Sequence, residues 1–365
     1  TGNVGKPSTG VNPLRGQNNV QGACDMGCLP NVLPGYVRVD EEGQRRRFEE
    51  YYGVRLPSRP GLTVTEMMHL AKEGRVRAMY IVGENPLLTD PNSTHVEEAL
   101  KNLEFLVVQD MFLTETARLA HLVLPSTSFA EKEGTFTNTE RRVLPVRRAI
   151  EPLSGSKPDL EIVCLFSSAL GYDMAVKGPK DVLSEINFLV PAYAGITYER
   201  VIAGQRIQWP CPSKDHPGTK FLHRDMFVSG RGRFHPVDFL PPSEWPDRQY
   251  PFLLSTGRIL FHYHTGSMTR RVEPLNLFSK EPFLEMSEED LCALGIEDGE
   301  RVRVVSRRGS IHIKVRRSER VFQGSLFLPF HFSEAAANML TVDAVDPVSK
   351  IPEYKVCAVR VERLA

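Results

Sequence analysis

Three short apolar runs constrain the fold more than anything else in this chain: "AMYIV" at 78–82, "FLVVQD" at 105–110 and "HLVLP" at 121–125. Each is too short for a buried helix, and each ends in polar or turn-forming residues. Amphipathic stretches separate them. "LTVTEMMHLAKE" at 62–73 precedes the first strand, and helices are expected near 95–103 and 112–119. Strands alternating with helices need crossover connections, which give a parallel sheet with helices on its faces. Such sheets bind ligands beyond the carboxyl ends of their strands. Those ends are Gly83, Glu84, Asn85 and Pro86, then Gln109 and Asp110, then Pro125 and Ser126.

The texture changes at residue 251. "PFLLSTGR" reads as a strand, and "MSEEDLCALGI" as a short helix capped by Ser287 and closed by Gly295. A hairpin is expected about Arg308 and Gly309, with another strand in "GSLFLPFHF". Many short strands with one small helix predict a closed β-barrel over the last third. A helix is expected near 158–170, and a Pro- and Gly-rich connector over 205–248. The opening stretch, "GVNPLRGQNNVQGACDMG" at 10–27, has little aliphatic content and reads as a polar loop rather than a helix or strand. The 365 residues exceed what one core usually serves. The plan is therefore a loop segment 1–35, an α/β portion 36–204, a connector 205–248 and a barrel 249–365.

Composition narrows the function classes. Lys plus Arg equals Asp plus Glu, at 45 each, which gives no general attraction to nucleic acid or an anionic membrane. No apolar run approaches the roughly 18 residues of a membrane span. The basic alternation "RVRVVSRRGS" from Arg301 fits the wet face of a barrel better than a nucleic-acid patch. Six scattered cysteines, at 24, 28, 164, 211, 292 and 357, are too few for a disulfide scaffold and predict a reducing, cytoplasmic setting. Cys24 and Cys28 have no second pair at zinc spacing. The chain opens at Thr1 rather than Met, with a polar motif ahead of any core, so a longer polypeptide is expected.

Six motifs stand in one order: "VNPLRGQNNVQGACDMG", "GENPLLTD", "VVQDMFLTETA", "LPSTSFAEKEGTFTNTERRV", "HYHTGSMTRR" and "IPEYKVCAVRV". Together they resemble the carboxyl-terminal half of the catalytic subunit of molybdenum- or tungsten-dependent formate dehydrogenases, in the dimethyl sulfoxide reductase superfamily. The resemblance implies a portion of an α/β nucleotide-binding domain followed by a six-stranded double-psi barrel. It also implies a bis-(molybdopterin guanine dinucleotide) centre with Mo or W. The metal's cysteine or selenocysteine ligand and a [4Fe-4S] cluster would belong to an upstream half.

By the same resemblance Arg15 anchors formate beside the metal. The chemistry fits, because a guanidinium offers a planar carboxylate a fork of two N–H donors. Gln17 is read as a cofactor contact, and Asn18 and Asn19 as loop braces. Gly83 lets the backbone approach a ligand, while Glu84 and Asn85 suit ribose hydroxyls or amides. Asp110 can accept two parallel bonds from guanine, or cap a helix over "MFLTETA". Gln109 and Ser126 match neighbouring family contacts. His262 and His264 are expected to share one face of a strand. With no third ligand nearby they do not read as a zinc site. With Arg258, Thr265 and Gly266 they would face pterins and phosphates, as would Tyr354 and Lys355. Implied partners are formate or carbon dioxide, the missing amino-terminal half, and iron–sulfur or diaphorase electron-transfer subunits. A nitrate reductase is disfavoured by Arg15 within "NPLRGQNN", and a cofactor-less scaffold subunit by the intact Arg15, Asp110 and Lys355.

Overall fold

The computed structural model describes residues 2–364, so Thr1 lies outside the described residues. The chain forms two compact units, both discontinuous. One comprises residues 1–62 with 126–237, the other residues 63–125 with 238–365. The stretch 36–204 contributes to both.

In the second unit, strands Ala78–Val82, Phe105–Asp110 and Leu122–Pro125 form the expected parallel sheet, paired in sequence order. Val107 and Val108 of the middle strand are buried, as a strand covered on both faces requires. Helices Val64–Lys72 and Ser93–Lys101 supply Met68, Ala71, Val96, Ala99 and Leu100 to the same core. The first opens on a capping box, in which Glu66 accepts from the Thr63 N–H at 2.9 Å.

The helix expected over 112–119 is absent. Only a 3₁₀ turn forms, at Ala117–Leu119. Side chains capture the amides a helix would need: Asp110 Oδ1 accepts from Phe112 N–H at 3.0 Å, and Asn85 Oδ1 from Thr116 N–H at 3.1 Å. Such local competition is what makes Thr, Asn and Asp poor helix interiors.

The barrel of the second unit has six strands: Phe252–Gly257, Phe283–Met286, Arg301–Val305, Ser310–Arg317, Ser325–Pro329 and Cys357–Arg363. It closes in the order second, fourth, third, sixth, first, fifth. Val302 and Val304 are buried while Arg301 and Arg303 are exposed, so the basic alternation from Arg301 is the wet face. Ile311, Ile313 and Val315 alternate with His312, Lys314 and Arg316 in the same way. Leu254, Leu284, Met286, Leu326 and Leu328 are fully enclosed, each stabilising the fold by about 1.5–3 kcal/mol. The helix Glu288–Leu294 is capped by Ser287, whose Oγ accepts from Asp290 N–H at 3.2 Å, and ends at Gly295 with φ +63°.

In the first unit, the opening segment is less loop-like than its composition suggests. Val20–Asp25 is a short helix, with Gln21, Gly22 and Asp25 buried. Its buried face is polar, and its hydrogen bonds come from residues far along the chain. The unit's apolar core includes Phe48, Val143, Leu183, Leu189, Ile196 and Val201. The expected helix near 158–170 is present at Asp159–Ala169.

Candidate cofactor and substrate sites

The carboxyl ends of the parallel strands build the first site, in the second unit. Gly83 follows the first strand with φ +64°, and a Cβ there would meet open space. That conformation favours glycine, and its N–H donates to Gln109 O at 2.8 Å. Gln109 is buried and takes a bond from the Tyr80 hydroxyl. Asn85 is a brace. Its Oδ1 also accepts from the Thr116 hydroxyl at 2.7 Å, and its Nδ2 donates to Glu115 at 2.8 Å. Asp110, half-buried, holds the Phe112 amide in a turn instead of capping a helix.

The last residue of "GENPLLTD", given no role from the sequence, is the more telling one. Asp90 is 5% exposed, with Oδ1 accepting from the Thr89 hydroxyl at 3.2 Å and Oδ2 lacking any partner among the described residues. Burial, then the nearby Glu84 charge, pushes its carboxyl up to about 7. Partial desolvation also raises Glu84, although the residue is exposed, and half-buried Tyr354 is raised by desolvation and by the Asp90 and Glu84 charges. Two carboxyls and a phenol therefore gather with no ion-pairing cation among the described residues. A buried acceptor without a donor is costly, so Asp90 Oδ2 has the capacity to accept from a ligand rich in N–H or O–H groups.

The barrel face carries the opposite demand. Arg258 leaves the first barrel strand, and residues 258–268 follow in turns. The strand expected for His262 and His264 is therefore absent. His264 has φ +50°, outside any extended conformation. His331, also unmarked by the motifs, explains the path. Its Nε2 accepts from Ile259 N–H at 2.8 Å, so its Nδ1 carries the proton and donates to His264 O. One buried imidazole thus clips the loop at two points. Burial holds this ring at about 4, so it is neutral at physiological pH. Gly266 packs against the same residue, since a Cβ there would stand 2.6 Å from His331 O. His262 and Thr265 are buried; His262 Nε2 lies 2.7 Å from Ser279 O, while its Nδ1 has no partner among the described residues.

Arg258 and Lys355 both reach Phe330, at 5.9 and 5.7 Å from the ring centre. Lys355 Nζ donates to Thr256 O at 2.7 Å. Arg258 and Lys355 are both exposed; partial desolvation and the Arg258 charge lower the pKa of Lys355, and burial and Arg258 lower that of half-buried His264. Neither cation has a carboxylate partner among the described residues. Uncompensated cations of this kind suit a phosphate. No group of three His, Cys, Asp or Glu side chains that could hold a metal occurs among the described residues.

The first unit holds the third feature. Arg15 is half-buried, and its Nε donates to Gln21 Oε1 at 3.4 Å. Gln17 is half-buried two residues on, and Asn19 braces the segment by accepting from Thr137 N–H at 2.9 Å. Ser126 is buried in the same unit, bridged to Lys157.

Comparison with known proteins gives this chemistry a context. Residues 1–169 match the model described as molybdopterin oxidoreductase, and residues 252–358 the molydopterin dinucleotide binding domain. The chain belongs to the molybdopterin oxidoreductases. It is 52% identical to the F420-dependent formate dehydrogenase subunit alpha of Methanocaldococcus jannaschii, covering 100% of this chain and 54% of that one. Against formate dehydrogenase H of Escherichia coli it is 40% identical, over 100% of this chain and 52% of the other. It thus spans about half the length of these relatives. Acetylene hydratase from Pelobacter acetylenicus shares the fold at a TM-score of 0.64 and 15% identity, over 89% of this chain and 50% of that one.

A molybdopterin cofactor fits the residues of the second unit. The partnerless Asp90 Oδ2 and its neighbour Glu84 ask for donors such as amines, amides and sugar hydroxyls. The Arg258 and Lys355 pair asks for phosphate oxygens. A dinucleotide-tailed pterin carries both kinds of group.

Proposed function

We propose that this chain is the substrate- and nucleotide-holding half of a formate dehydrogenase alpha subunit. The carrying observation is 52% identity to such a subunit over the whole chain. When bound, bis-(molybdopterin guanine dinucleotide) with Mo or W supplies the two-electron redox chemistry that no side chain offers. Formate oxidation yields carbon dioxide, a proton and two electrons, and the electrons would leave through a [4Fe-4S] cluster of the upstream half and its partner subunits. The chain's own residues position. Arg15 receives the carboxylate of formate through charge-assisted bonds worth about 1.5–3 kcal/mol each, and Gln17 contacts the cofactor beside it. Glu84, Asp90, Asp110 and Tyr354 take the donor-bearing parts of the nucleotide and pterin, with Gly83 admitting them and Gln109, Ser126 and Asn85 lining or bracing the turns. Arg258, His264 and Lys355 take phosphate, held in shape by His262, Thr265, Gly266 and His331.

The six cysteines are free thiols, and no helix among the described residues is long and apolar enough to cross a membrane. The free thiols support a cytoplasmic site of action.

The test is formate-dependent viologen reduction by the full-length, metal-loaded protein. Turnover with formate and not with nitrate is expected. The 365-residue chain alone should give none. Absence of formate turnover in the loaded full-length enzyme overturns the reading.

A further inference from the structure

Asp25 is 1% exposed, yet it lies in the polar opening segment. Its carboxylate accepts four hydrogen bonds: Gln21 Nε2 at 2.7 Å and Tyr36 hydroxyl at 2.9 Å on Oδ1, Tyr193 hydroxyl at 2.6 Å and Trp209 Nε1 at 2.7 Å on Oδ2. A buried charge needs such complete compensation to persist. The tyrosines register it: burial first, then the Asp25 charge, raises both Tyr36 and Tyr193.

This hub dictates the orientation of Gln21. Both residues sit on the helix Val20–Asp25, four positions apart, and so face the same way. Gln21 Nε2 donates to Asp25 Oδ1 and to the Tyr36 hydroxyl, at 2.7 and 3.0 Å. Both amide hydrogens are then engaged, because an ionised carboxylate can only accept. The carbonyl oxygen must point the other way, and there it meets Arg15 Nε at 3.4 Å.

A guanidinium has two forked edges, one through Nε and a terminal nitrogen, the other through both terminal nitrogens. Gln21 engages Nε. Neither Nη group has a hydrogen-bond partner among the described residues. We infer that Asp25 and Gln21 are positioning residues that set the plane of the Arg15 guanidinium, so that a small carboxylate is received end-on through Nη1 and Nη2. Asp25 acts two steps removed: it touches neither substrate nor Arg15, and works by denying Gln21 its flipped orientation. The inference deepens the proposed function and rests on it.

The test uses the full-length holoenzyme and two substitutions at one position. Gln21→Met removes the acceptor facing Arg15 and leaves Asp25 its three other donors. The Michaelis constant for formate should rise about tenfold, the equivalent of about 1.4 kcal/mol, while kcat changes less than about threefold. Nitrite, a bent oxyanion without a C–H bond, gives a readout independent of turnover. Its dissociation constant, from titration calorimetry, should rise by the same factor. Gln21→Glu is the sharper variant. Protonated, the new carboxyl donates to Asp25 and keeps a carbonyl toward Arg15, as the amide does. Ionised, it repels Asp25 and pairs with Arg15 in place of substrate. KM for formate should therefore rise with pH through a titration that wild type lacks. Near-UV circular dichroism checks that both variants are folded. A formate KM and nitrite affinity within twofold of wild type in Gln21→Met, or a Gln21→Glu profile matching wild type, overturns the relay. If wild type itself shows no formate turnover, the proposed function fails, and nitrite binding alone decides the relay.

Discussion

Two buried aspartates show what their neighbourhoods are for. Asp25 has donors on both oxygens, drawn from Gln21, Tyr36, Tyr193 and Trp209. Asp90 has one hydroxyl donor on Oδ1, none on Oδ2 among the described residues, and the like-charged Glu84 nearby. Both are enclosed, so the difference lies in satisfaction rather than exposure. A saturated carboxylate is a structural post, which the protein completes by itself. An incompletely satisfied one keeps acceptor capacity that a ligand can use. The same contrast separates the neutral, doubly bonded His331 from the cations Arg258 and Lys355, which have no carboxylate partner among the described residues.

Four measurements can break or sharpen this contrast. Replacing Asp25 with Ala should have the largest effect. It strands four donors at about 1–3 kcal/mol each, so a loss of roughly 5 kcal/mol is expected by denaturant titration. Retention of wild-type stability would mean that the post supports nothing.

Asp90→Asn should act in the opposite direction. The folded-state carboxyl titrates at about 7 against an ordinary 3.8, so the folded chain holds a proton that the unfolded chain has lost. Stability is then full below about pH 4 and declines as pH rises through 7, by about 4 kcal/mol. In Asp90→Asn that slope should vanish, leaving the variant more stable than wild type at pH 8. Guanosine diphosphate should flatten the slope in wild type and do nothing in the variant. Parallel pH profiles for the two proteins would remove Asp90 from the site.

His331 provides the third test, with the sign reversed. Its folded-state value of about 4 lies below the ordinary 6.5, so protons bind the unfolded state first. Stability should be full above pH 6.5 and fall by about 3 kcal/mol as pH drops toward 4. That acid slope should be missing in His331→Gln. The smallest effect belongs to Glu104→Gln. Glu104 pairs with Arg77 in solvent, both bonds at 2.6 Å, and such pairs contribute little. Its denaturation midpoint should match wild type.

Much of this architecture is legible in residue patterns. The three apolar runs became parallel strands because length, boundaries and intervening helices all agreed. Ser287 and Gly295 fixed both ends of a helix, and Val302 and Val304 alternated with arginines as a barrel wall must. The patterns failed where side chains answer to distant partners. Asp25 meets Tyr193 and Trp209 across 168 and 184 residues, so nothing local shows that a polar stretch becomes a buried helix. His331 and His264 are 67 apart, and the clip between them replaces the strand that alternation suggested. Over 112–119, Asn85 takes an amide from 31 residues upstream and the helix gives way. Asp90 lies in the quoted "GENPLLTD" motif, yet only its unpartnered oxygen distinguishes it from an ordinary turn residue.

The split build of the second unit has a bearing on how the chain is made. Its sheet leaves the ribosome by residue 125, but the rest of the unit begins only at 238. Asn338, whose amide closes onto the carbonyls of Leu88 and Thr89 at 3.0 Å, arrives 250 residues after Leu88. During synthesis the nascent sheet must wait, its future barrel-facing side bare, while the inserted segment emerges and can gather its own core. A chaperone's window on this protein is therefore widest between those two moments.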